Sequence, residues 1–194
     1  MQRRSLLQSL FSTAVLIPTL SNYATKIVEA SGTNDHEEVQ IPKTRTEDEQ
    51  HMRRAIRLAG NVPKYPFGAL LVDQQKGVVI AEGWNRSVLN PTWHGEMDAI
   101  NKCATLDPKV DWTKLTLYTT AEPCAMCQGA VAWAGISRVV FGSSIPFLKS
   151  LNWWAIDIRA DEVARLSAFR RCSVVGGILE EECNKLFKAA LTIK

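Results

Sequence analysis

Two short stretches, His94-Gly95-Glu96 and Pro123-Cys124-Ala125-Met126-Cys127, constrain this chain more than any other feature. Together they supply one imidazole, two thiols and one carboxylate. An imidazole with two thiolates matches the three protein ligands of a catalytic zinc site, which keeps its fourth position open for water. The metal lowers the pKa of that water by many units and makes it a nucleophile near neutral pH. A closed structural clip needs a fourth protein ligand, usually from a short Cys or His pair, and neither Cys103 nor His51 sits in one.

The spacings have physical content. Cys-x-x-Cys entering a helix puts both sulfurs on its first turn, where unpaired N–H groups and the positive end of the macrodipole favour thiolates. Pro123 suits the start of that helix. His94 and Glu96, two residues apart, diverge in a helix interior and work together best at a helix N-terminus, with Thr92 as its expected N-cap. Glu96 is then not a ligand but the group that shuttles protons between the water and the leaving group.

These residues, with Pro66-Phe67-Gly68-Ala69, Gly83-Trp84-Asn85, Pro91-Thr92-Trp93-His94-Gly95-Glu96-Met97, Glu122-Pro123-Cys124-Ala125-Met126-Cys127 and Arg138-Val139-Val140-Phe141-Gly142, resemble the cytidine deaminase superfamily. The branch they resemble holds bacterial guanine deaminase and the tRNA adenosine deaminase. The resemblance runs well from Thr46 to Phe141 and loosely beyond. It implies one zinc per chain with a catalytic water, held by His94, Cys124 and Cys127, and Glu96 as the catalytic residue. It also implies that the Asn85 amide and the Gly95 backbone contact the substrate base. Read from the residues alone, Asn85 is equally a turn-former at a strand end. The family usually has Ala where Gly95 stands, so extra backbone freedom that loosens the pocket is expected there.

A chain of 194 residues with 46% hydrophobic content suits one globular domain plus a tail. Removing Arg3, Arg4, Lys26 and Glu29 with the N-terminal segment lowers the net charge from +3 to +1, a poor match to long nucleic acid. Cys103, Cys172 and Cys183, left over from the metal pair, are an odd set that argues against a disulfide framework.

Residues 1–30 read as a targeting segment, Arg3-Arg4 followed by the apolar run Leu6 to Leu20. Arg3-Arg4-Ser5-Leu6-Leu7-Gln8 resembles a twin-arginine export signal, which gives a periplasmic or exported location; a plain amphipathic helix and a cytoplasmic protein are the alternative. Gln8, Ser9, Ser12, Thr13 and Pro18 break the run, so stable membrane insertion is not expected. A polar linker follows over 31–45, and the deaminase domain over 46–194.

From Thr46 a helix is expected with Met52, Ala55, Ile56 and Ala59 on one face and His51 at the surface. Phe67 to Val72 and Val78 to Trp84 read as a strand pair, Leu115 to Thr119 and Ile136 to Gly142 as further strands, and Cys172 to Val175 as the last. The helix after Cys124 is apolar nearly all round and is expected to be buried on several sides, partly in a homodimer. Phe147, Trp153 and Trp154 form either an aromatic wall over the pocket or plain core. Asp161 is expected to cap a helix through about Phe169, and Leu179, Cys183, Leu186, Phe187 and Ala190 form the stripe of a final helix. The order of elements gives an α/β class, a three-layer α/β/α cytidine-deaminase-like fold with a mixed central sheet of about five strands.

The function that follows is zinc-dependent hydrolytic deamination of a purine base or nucleoside, guanine to xanthine plus ammonia in the first instance. The expected partner is a small molecule rather than nucleic acid. The rival is tRNA adenosine deamination to inosine, opposed by the uncharged Ser143-Ser144-Ile145-Pro146 where that family carries charge. A cytosine or cytidine deaminase, a secreted deaminase toxin and a non-catalytic zinc-binding module rank lower. Glu96 argues against the last, because a structural site needs no carboxylate there.

Overall fold

A computed structural model of the chain describes residues 45–153, 155–169 and 171–193. The export signal and nearly all of the linker expected before Arg45, and Trp154, lie outside the described residues. Helix α1 (Arg45–Ala59) leads into the hairpin β1 (Gly68–Asp73) and β2 (Val78–Trp84), then α2 (Gly95–Leu106), β3 (Leu115–Ala121), α3 (Ala125–Ala134), β4 (Arg138–Ser143), α4 (Ile145–Ser150), α5 (Ala160–Leu166), β5 (Ser173–Val175) and α6 (Glu180–Ala190). The sheet has five strands in the order β2-β1-β3-β4-β5. β1 pairs antiparallel with β2 and β3, while β3, β4 and β5 run parallel. The expected mixed sheet is present.

Side chains alternate across a strand, and β1 uses this to feed two cores. Ala69 and Leu71 join Ala99, Cys103, Leu117, Val131 and Val139 beneath α2 and α3. Leu70 and Val72 join Met52, Ala55, Tyr118, Val140 and Cys183 beneath α1 and α6. β1 and β3 are buried along their whole length, so β1 reads as a mostly apolar run, while β3 buries Thr116, Thr119 and Thr120 among its apolar residues. A third cluster of Ala121, Leu148 and Phe187, with Phe67, Phe147, Leu151 and Trp153 packed on it, closes one end of the sheet. Phe147 and Trp153 therefore do fill core.

α1 is also pinned by charge. Asp48 is 3% exposed, receives the Arg138 guanidinium at 2.8 and 2.7 Å, and accepts from the Tyr118 hydroxyl at 2.8 Å. Asp48 stands between Glu47 and Glu49 in a stretch that looks uniformly solvated, so its sequence neighbourhood hides this role. His51, expected at the surface, is half-buried with its ring 4.9 Å from that of Tyr118.

Three local expectations are corrected. The N-cap of α2 is His94, not Thr92, whose hydroxyl turns back to donate to Asn90. α5 has Arg159 as N-cap with Asp161 inside its first turn, and it stops at Leu166 because Ser167 adopts extended backbone. α3 buries Cys127, Gln128, Val131 and Ala132 on one side only, while Trp133 on the other is 78% exposed and packs on Phe169 at 4.6 Å. Among the described residues no helix is long and apolar enough to cross a membrane.

Candidate active site

α2 and α3 begin at the same place. His94 is the N-cap of one and Cys124 of the other, both in extended backbone, and neither side chain caps its own helix. Pro123 thus stands one residue before the cap, not at the first helical position, and Cys127 lies in the first turn of α3. Two sets of unpaired N–H groups and two positive helix ends converge here, which favours anionic groups.

The donor atoms of His94, Cys124 and Cys127 all lie within 4.8 Å of one another, the one such trio among the described residues. His94 Nδ1 is 3.8 Å from Cys124 Sγ and 3.6 Å from Cys127 Sγ. Zinc bonds of about 2.3 Å to sulfur and about 2.0 Å to nitrogen at a tetrahedral angle require a sulfur–nitrogen separation of about 3.5 Å. The three residues therefore fit a zinc ion, and the other cysteines do not compete: Cys103 and Cys183 are in the two cores and Cys172 is by β5.

Electrostatics agree with that donor set. A hydrogen bond from Cys127, with another from His94, pulls the Cys124 thiol down to about 4. Cys127, which donates to Cys124 and is deeply buried, is pushed well above the ordinary thiol value. The Cys124 contact raises the His94 imidazole. Without metal, then, the pair holds one thiolate and one proton, and binding zinc releases that proton.

Glu96 is 3% exposed, and burial raises its carboxyl above the usual range. Thr119, on β3, places its hydroxyl 3.4 Å from Oε1, whereas Oε2 lacks a hydrogen bond of normal geometry among the described residues. An orphaned carboxylate oxygen beside three metal donors is a group kept for a substrate or a water. Thr119 carries no sequence signal beyond its place in a strand.

Asn85 is buried at the end of β2. Its Oδ1 accepts from the Ser87 N–H at 2.9 Å and the Ser87 hydroxyl at 2.7 Å, so the turn-forming role is real, and among the described residues its Nδ2 has no partner. Gly95 corrects the expectation of slack. A Cβ there would stand 2.7 Å from the Phe67 carbonyl oxygen, so the position is one of close packing rather than freedom. Phe67 itself faces the His94 ring, 18° from parallel with centroids 6.5 Å apart.

Glu122 immediately precedes Pro123 and is 4% exposed. Its carboxylate accepts from the Ile145 N–H at 2.9 Å, the Ala160 N–H at 3.0 Å, and Arg159 Nε at 2.7 and 2.9 Å. The Glu-Pro-Cys run made Glu122 visible; nothing around Arg159 announces its partner.

Comparison with known proteins closes the case for the family. The profile of the cytidine and deoxycytidylate deaminase zinc-binding region matches residues 45–143. The tRNA-specific adenosine deaminase of Haemophilus influenzae is 36% identical over 149 residues, 74% of this chain and 83% of that protein. The fold is similar to that of guanine deaminase from Nitrosomonas europaea, with TM-score 0.66 and 22% identity over 82% of this chain and 98% of the other. A tRNA:A34 deaminase structure aligns with TM-score 0.59 and 25% identity over 71% of this chain and 98% of that one. The chain thus belongs to the cytidine and deoxycytidylate deaminase family, as a deaminase with that family's zinc-binding region.

Proposed function

We propose that this deaminase acts on a small purine base, guanine foremost, converting it with water to xanthine and ammonia. The observation that carries the reading is the Phe67 ring facing the His94 ring beside the metal trio. The rings lie 18° from parallel with centroids 6.5 Å apart, so a flat ring stacked between them needs the pair to open toward about 7–8 Å. The uncharged Ser143-Ser144-Ile145-Pro146 stretch, which begins at the last residue of β4, supports it.

His94, Cys124 and Cys127 would hold zinc, which when bound supplies Lewis acidity and an activated water. Glu96 Oε2 takes the proton from that water, passes it to the ring nitrogen, and then serves the departing amine, the work of a general acid-base group, here one whose pKa burial raises. Thr119 steadies Oε1 meanwhile. Asn85 Nδ2 offers the base a hydrogen bond, and Phe67 excludes water from one face of the ring.

A second reading, adenosine deamination in tRNA, is favoured by the 36% identity with the Haemophilus influenzae enzyme. The two separate by salt, because phosphate contacts make nucleic-acid binding fall steeply with ionic strength. Ammonia release is measured with free purines, pyrimidines, nucleosides and an anticodon stem-loop, at low and physiological salt. Guanine turnover with little salt dependence is expected; salt-sensitive inosine formation with no ammonia from guanine overturns the reading. Two further proposals accompany it. Export through Arg3-Arg4 is tested by changing both to Lys and following the precursor. Homodimerisation through the exposed Trp133 face is tested by sedimentation of Trp133→Glu.

A further inference from the structure

One buried carboxylate ties together three parts of the molecule that are distant in sequence. Ile145 opens α4 and Ala160 opens α5, and the backbone N–H of each donates to Glu122, one to Oε2 and the other to Oε1. Arg159 covers both oxygens from the outer side, its own side chain 45% exposed against 1% for Glu122. Glu122 in turn is covalently next to Pro123-Cys124, and its N–H donates to the Ser143 carbonyl at 2.7 Å. Every donor on this carboxylate is thus either a main-chain group that starts a helix or the guanidinium that shields it. Charge-assisted bonds of this kind are the strong and geometrically strict ones.

What Glu122 holds leads back to the pocket. Through Ile145 it fixes α4, whose Leu148 carbonyl accepts from the Trp153 N–H at 3.0 Å. The Trp153 ring stands edge-on to Phe67 at 5.6 Å and to Phe187 at 5.7 Å. Phe67 forms the wall facing His94. Through Arg159 and Ala160 the same carboxylate fixes α5, which packs on α3, the helix that carries Cys127.

We propose that Glu122 and Arg159 are positioning residues that set the distance between the Phe67 wall and the His94 ring by way of α4 and Trp153, and so determine how tightly the base is held. Neither touches the reacting atoms. Their action is on substrate affinity, relayed by an aromatic contact, and it requires no particular base. It is therefore independent of the guanine reading and is tested on whichever base the panel above shows to be turned over.

The test is a cycle of Arg159→Met, Trp153→Leu and the double variant, with Arg159→Lys as the conservative control. Zinc content and amide hydrogen exchange are read beside the kinetics, so that failure to identify a substrate leaves the structural arm standing. Arg159→Met is expected to raise KM by about tenfold, the upper scale of one aromatic contact, with kcat within about twofold and zinc unchanged. Trp153→Leu should raise KM similarly with the Glu122 contacts intact, and the double variant should be no worse than either single one. Arg159→Lys should recover most of the loss, and exchange in Arg159→Met should quicken in α4 and the start of α5 while β1 and β3 stay protected. Additive effects of Arg159→Met and Trp153→Leu overturn the proposal. So does a uniform rise in exchange with loss of zinc, which marks Glu122–Arg159 as a merely structural ion pair, or a fall in kcat at unchanged KM.

Discussion

The Thr119 hydroxyl reaches Oε1 of Glu96 at 3.4 Å inside the protein, which leaves Oε2 as the unpaired oxygen of the carboxylate. On the proposed reading, β3 thereby leaves Oε2 as the oxygen that transfers the proton. Glu96→Gln should keep fold and zinc but lose turnover by at least about two orders of magnitude, the usual scale for removing a general acid-base group. Thr119→Val should lose less, and Thr119→Ser less still. Steady-state kinetics with elemental analysis of each variant checks this; a near-wild-type rate in Glu96→Gln at full metal occupancy would mean that another group moves the proton.

Metal binding is expected to follow the trio. Cys124→Ser and Cys127→Ser should each fall well below the one zinc per chain expected of the wild type. Undiminished zinc in both variants removes the assignment.

Thiol reactivity gives an independent view of the same residues. In chelator-stripped protein Cys124, drawn down to about 4 by Cys127 and His94, is already thiolate above that pH. Its alkylation by iodoacetamide should therefore be nearly flat from pH 6 to pH 8, whereas an ordinary thiol of pKa about 8.5 gains about tenfold per pH unit over most of that range. Burial pushes Cys103 and Cys172 up to about 11 and Cys183 to about 12, so these should stay unmodified. Peptide mapping after brief labelling distinguishes the four sites, and re-added zinc should protect Cys124.

Asn85 holds the turn through Oδ1 and, on the proposed reading, the base through Nδ2. Asn85→Asp keeps an acceptor for both Ser87 donors but loses the Nδ2–H, so it should raise KM while the melting temperature holds. Asn85→Ala loses both and should raise KM and lower the melting temperature together. If Asn85→Asp binds the base as well as the wild type does, the side chain serves the turn alone.

Gly95→Ala drives a Cβ to 2.7 Å from the Phe67 carbonyl oxygen, a backbone atom with little room to yield. Overpacking of this kind costs about 1–3 kcal/mol, and thermal melting should register it. Because Phe67 is also the wall facing His94, KM should change with stability.

Much of this site was legible because its chemistry is local. Cys124 and Cys127 declare themselves by spacing, His94 and Glu96 by lying at one helix start, and the strand pair by its Asp73-to-Gly77 turn, where Gly77 has φ +66. The unread parts depend on partners far away in the chain. Asp48 finds Arg138 across 90 residues and Glu122 finds Arg159 across 37, and no periodicity records such pairings. Gly95 was misjudged for the same reason. Its constraint comes from the Phe67 carbonyl on another element, not from its own backbone preferences.

At Gly83 an added Cβ would stand 2.3 Å from the Gly95 carbonyl oxygen and 2.4 Å from the Ala99 nitrogen, so α2 rests on β2 main chain against main chain. The height and rotation of the helix bearing His94 and Glu96 are then set by peptide groups that every substitution elsewhere leaves chemically unchanged. On the proposed reading, substitutions at Phe67, Asn85 or Trp153 are expected to change which ring is accepted while His94 and Glu96 keep their places. If that expectation holds, the backbone seam fixes the reaction and leaves the choice of ring to the side chains around it.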